Sequence, residues 1–89
     1  MANDFQITAE VINQALADVC KRGGYCTYLD GESLLKKYQN NVTAEHFATS
    51  VLFAEGLNTK YASGRGLIEK VFLECVERSK QNKLPNPSS

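Results

Sequence analysis

Cys20, Cys26, Cys75 and His46 are the residues of this chain with the richest chemistry. A thiolate beside an imidazole is a nucleophile with its base, and three thiolates with one imidazole form a zinc donor set. The spacing favours neither. Zinc ligands come in pairs about two to four residues apart, whereas five residues separate Cys20 from Cys26 and no second close pair follows. A reactive thiol needs an electropositive, accessible setting, but Cys20 and Cys75 fall on apolar helix faces. No mechanistic motif accompanies them. The expectation is a non-enzyme without metal or cofactor, whose three cysteines are reduced and packed as small apolar groups.

The second candidate is the segment 56–66, Gly-Leu-Asn-Thr-Lys-Tyr-Ala-Ser-Gly-Arg-Gly, with three glycines, two cations and no acid. Backbone N–H groups freed by glycines at a helix start can face an anion. The Lys-Ser/Thr of a phosphate-binding loop is missing, and no strand precedes the segment. As a loop on a helical scaffold, it offers Lys60, Tyr61 and Arg65 as exposed partner contacts. A DNA-binding reading of helix-turn-helix type would place a short recognition helix near 59–63 within residues 57–66. Against it stand a connection of about eleven residues where that motif uses three or four, and acids at Glu69, Glu74 and Glu77 on the following helix.

The third candidate is a seam of His46, Thr49 and Phe53, at helical spacing on the side of their helix opposite its apolar stripe. Either this helix is buried on both sides, or His46 and Phe53 form a contact patch together with Leu73, which is stranded among charges. Phenylalanine is more often buried than exposed, which favours the first arrangement.

The elements that must hold these residues are helices. A helix is expected over 8–22, capped by Thr8, with Val11, Ile12, Ala15, Leu16, Val19 and Cys20 on one side and Gly23-Gly24 as its stop. Residues 25–29 read as an extended connector whose tyrosines pack on the helices, because no second strand exists to pair with it. Asp30 caps a short helix to about 39. A third helix spans 43–54 between Thr43 and Gly56. The fourth, from 66 to about 79, has the strongest pattern: Leu67, Ile68, Val71, Phe72, Cys75 and Val76 form its apolar half. The core should centre there, with Phe72 against Ile12, Leu16, Phe47 and Val51. Residues 82–89, with two prolines, read as a disordered tail.

The expected architecture is therefore an all-α bundle of about four helices in one domain over residues 1–81. The 89 residues are 43% hydrophobic with zero formal net charge. That composition is globular, and its charge lacks the electrostatic footprint common in nucleic-acid binders. No secretory signal, long apolar run or lipidation site is evident, which points to a cytoplasmic protein. The functional expectation is a small non-catalytic intracellular binding or regulatory module that contacts a protein partner or a second copy of itself. The alternative is the DNA-binding regulator using 57–66. Lys60, Tyr61, Arg65, His46 and Phe53 are the expected partner-binding residues, with no membrane and no small-molecule substrate.

Overall fold

Three of the helices open on a side-chain oxygen. Thr8 Oγ1 accepts from the Val11 N–H at 3.3 Å, Asp30 Oδ1 from the Ser33 N–H at 2.8 Å, and Thr43 Oγ1 from the His46 N–H at 3.1 Å. Each satisfies one of the donors that a helix start leaves unpaired. The computed structural model describes residues 7–59 and 63–83, with side chains as far as Gln81. Over them run α1 (Ala9–Gly23), α2 (Gly31–Lys37), α3 (Ala44–Ala54) and α4 (Arg65–Lys83). No strand occurs among the described residues. The protein is the all-α bundle that the periodicity predicts.

The helix ends are equally local in origin. Gly24 adopts a left-handed φ of 80°, and its N–H reaches the Cys20 carbonyl while that of Tyr25 reaches Val19. Gly56, at φ 74°, ends α3 with a tighter pairing, its N–H on the Phe53 carbonyl at 3.0 Å and the Leu57 N–H on the Leu52 carbonyl at 2.9 Å. This paired arrangement uses the orphaned carbonyls of the last turn and favours glycine at the left-handed position. α2 ends without a glycine. Gln39 and Asn40 carry positive φ values of 54° and 66°, and the Asn40 N–H closes onto the Leu35 carbonyl at 2.7 Å.

α4 packs against both α1 and α3, and α2 leans on α1. Ile68, Val71, Phe72 and Cys75 are buried together with Ile12, Ala15 and Val19 of α1 and Phe47, Ala48, Val51 and Leu52 of α3. The rings of Phe47 and Phe72 stack with centroids 4.9 Å apart at the centre of this core. Leu16 is half-buried at its margin. Gly31 allows the close approach of α1 and α2: a Cβ there would overlap the backbone of Ala9, and the Gly31 N–H bonds Asn13 Oδ1 at 2.7 Å.

Three expectations need correction. α4 continues to Lys83, about one turn beyond residue 79 and into the expected tail. Residues 79–83 contain no helix breaker, Lys80 pairs with Glu77 at 3.5 Å, and the first residue to disfavour helix is the one preceding Pro85. Of the connector tyrosines, Tyr25 packs against the core but Tyr28 is fully exposed. The third correction is covalent. Cys20 and Cys26 are joined in a disulfide with Cα atoms 4.4 Å apart, so they are not reduced, and only Cys75 is a free thiol. The reversal of the chain at Gly24 returns residue 26 to residue 20. The expectation of three reduced cysteines is therefore wrong for Cys20 and Cys26, and a disulfide is a bond that persists in oxidising surroundings.

Candidate functional site

Arg65 begins α4, and its guanidinium reaches back across the end of the 56–64 segment. It donates to the Thr59 carbonyl at 2.7 Å and to Thr49 Oγ1 on α3 at 3.2 Å. Its Nε pairs with Glu69 one turn along α4 at 3.1 Å, and Nη2 lies 4.0 Å from Glu45. Only 22% of this side chain is exposed. The expectation of a free, solvent-exposed cation is thus overturned: Arg65 is a structural hub that ties α3, α4 and their connection together. The planar fork with several donors suits this role. Lys60 and Tyr61 lie outside the described residues, as does most of the short helix considered at 59–63.

His46 is committed as well. Its ring stacks on Tyr38 with centroids 4.1 Å apart and planes within 7° of parallel. The 2.9 Å contact from Nδ1 to the Asn41 carbonyl places a proton on Nδ1. The 3.4 Å separation from the Thr43 N–H is then not a hydrogen bond, because a protonated ring nitrogen cannot accept. Tyr38 is held in turn through its hydroxyl to Ser50 Oγ at 3.0 Å. His46 therefore fixes the turn from α2 into α3 and is only half-exposed.

Phe53 differs from both. It is 74% exposed, against the burial favoured from sequence. Phe47, Ala48, Val51 and Leu52 already fill the contact of α3 with the bundle, so its outer side has no neighbour to cover it among the described residues. Phe53 lies one helical turn beyond Thr49, where the Arg65 hub attaches. Leu57, 44% exposed, follows four residues later at the glycine stop. Sequence reasoning missed Leu57, although its place just past the Gly56 stop, with Phe53 four residues before it, was readable. The seam therefore divides: His46 and Thr49 are structural, whereas Phe53 near the end of α3 is exposed, as is Leu57 just past the helix. Leu73 is exposed too, on α4 beside Lys70 and Glu77 in a shallow depression bordered by Lys21 and Arg22 of α1.

A second cluster joins α1 to α4. Asp18 Oδ2 accepts from the Cys75 thiol at 3.3 Å and from Arg78 at 3.2 Å, and Gln14 donates to Oδ1 at 3.1 Å. Burial pushes the Asp18 carboxyl up, but the hydrogen bonds from Cys75, Gln14 and Arg78 outweigh it and hold the group below its ordinary range. Burial and then the Asp18 carboxylate push the Cys75 thiol up to about 11. Such a thiol is protonated and a poor nucleophile at neutral pH. On the surface, Arg22 and Glu74 pair at 2.7 Å. Among the described residues, no three His, Cys, Asp or Glu side chains gather in a way that could hold a metal ion. No helix there is long and apolar enough to cross a membrane.

No family model, curated protein or solved structure matches this chain.

Proposed function

We propose that this protein is a small non-catalytic binding module that engages a protein partner, or a second copy of itself, through the outer end of α3. The exposure of Phe53 carries this reading: α3 buries every other large apolar side chain it has and leaves one aromatic ring in solvent. Aromatic side chains that present large rigid area at low entropic cost are the usual anchors of protein interfaces. Leu57 adds a second exposed apolar side chain just past the helix, and the Arg65 hub at Thr49 ties the supporting helix to α4. The DNA-binding alternative, a short recognition helix near 59–63 within 57–66, has less support, because the one cation of that segment among the described residues, Arg65, is already paired with Glu69 and Glu45.

The test is site-specific cross-linking. A photoreactive phenylalanine analogue at position 53 is compared with one at Glu32, an exposed position on α2, in the cells that produce the protein. The reading expects a discrete protein adduct, or a covalent dimer, from position 53 and not from position 32. Equal labelling from both positions, or an adduct with nucleic acid only, contradicts it.

A further inference from the structure

The disulfide closes a small ring around the glycine turn that ends α1, and Tyr25 projects from that ring. The Tyr25 side chain lies over Gly23, where an added Cβ would come within 2.8 Å of the tyrosine ring and 3.0 Å of Leu67. Its hydroxyl end reaches Gly64, where an added Cβ would overlap it. Both positions that the ring crosses are thus glycines, and Tyr25 fills the space that their missing side chains leave. Gly64 in turn supplies the carbonyl that accepts from the Ile68 N–H at 3.0 Å, the first backbone bond of α4. Cys26, immediately after Tyr25, is exposed, whereas Cys20 is half-buried.

We propose that Cys20–Cys26 is a thiol-sensitive latch: the oxidised pair seats Tyr25 against Gly23 and Gly64 and so fixes the start of α4, and reduction by a dithiol releases it. The thiolate of the reductant attacks the exposed Cys26 sulfur, and Cys20 leaves as a thiolate that takes up a proton. The second thiol of the reductant then closes its own disulfide and frees Cys26, which is protonated in turn. Two electrons and two protons pass from the dithiol to the protein, and no other reactant is needed. Without the ring, the backbone hydrogen bonds that hold the turn, among the described residues, are those from the Gly24 and Tyr25 N–H groups to the Cys20 and Val19 carbonyls. Loss of the Tyr25 wedge frees Gly64 and, through the adjacent residue, loosens the Arg65 hub that links α4 to α3. This latch concerns order at the start of α4 and holds whether or not Phe53 binds a partner.

Residue-resolved hydrogen exchange on the full chain, before and after treatment with dithiothreitol, tests it. The Ile68 amide should exchange at least about tenfold faster after reduction, as expected for a local opening, with Val51 in α3 unchanged. Tyr25→Ala should make Ile68 exchange fast in both redox states and abolish its response to the reductant. Reoxidation with glutathione disulfide should restore slow exchange in the parent protein. Three results would overturn the proposal. One is an Ile68 amide that does not respond while Gly24 and Tyr25 open; another is equal acceleration at Val51, which marks global unfolding. The third is failure of Cys20 and Cys26 to form the bond in the glutathione buffer.

Discussion

The two sides of α3 carry the same kinds of residue to opposite ends. On the inner side Phe47, Val51 and Leu52 have no exposed surface, and Phe47 stacks on Phe72. On the outer side Phe53 is exposed, yet the backbone that presents it is tied down by the Arg65 hub at Thr49 and by the His46–Tyr38 stack. One phenylalanine supplies stability through burial and the other retains apolar surface for a contact outside the chain. The difference teaches that residue type on a helix does not assign role; the neighbours available to each face do.

The comparison breaks most visibly on the inner side. Phe72→Ala removes the ring that Phe47 stacks on and should destabilise the fold by about 3–5 kcal/mol, most of the stability of a domain this size. Chemical denaturation measures it. A loss below about 1 kcal/mol would mean that this site is not packed as a core, since truncations of buried aromatics cost far more.

Arg65→Ala sharpens the outer side. If Arg65 is a scaffold rather than a free contact, its loss should cost about 1.5–3 kcal/mol, the range for hydrogen bonds to charged groups. Glu69→Gln in the Arg65→Ala background should then add little, since the shared pair is already broken. A thermal midpoint unmoved by Arg65→Ala would return the residue to the role of a free cation.

A smaller effect distinguishes the buried side of α4. The folded Cys75 thiol holds its proton to about 11, against an ordinary value of 9.0. A raised folded-state value favours the native state below the unfolded value and loses that contribution as pH rises towards the folded one. Stability should therefore fall between about pH 9 and 11, and Cys75→Ala should flatten that decline relative to the parent. Parallel pH profiles for the two proteins would remove Cys75 as its source.

Much of this arrangement is legible in the residues. The apolar stripe of α4, the Thr8, Asp30 and Thr43 caps and the Gly24 and Gly56 stops all express local rules that need no knowledge of the tertiary fold. The pairing of Arg65 was also within reach, because Glu69 stands four residues on, but a window ending at Gly66 makes the segment look purely basic. Phe53 is different. Its place opposite the stripe is clear from the wheel, but whether another helix covers that side depends on how three elements pack. Cys20 and Cys26 are poor as a metal pair by spacing. They become partners only because the left-handed turn at Gly24 folds the chain back, which spacing alone does not express.

The most direct measurement is the affinity of the partner captured at position 53 for the parent protein and for Phe53→Ser, with thermal midpoints recorded on the same samples. The midpoints should agree within a few degrees, since exposed positions away from packed features rarely change stability by more than about 0.5 kcal/mol. Binding should weaken by at least about tenfold, the loss of roughly 1.4 kcal/mol that marks an energetically important contact. Unchanged affinity with an unchanged midpoint would contradict the assignment of the outer end of α3 as the binding surface.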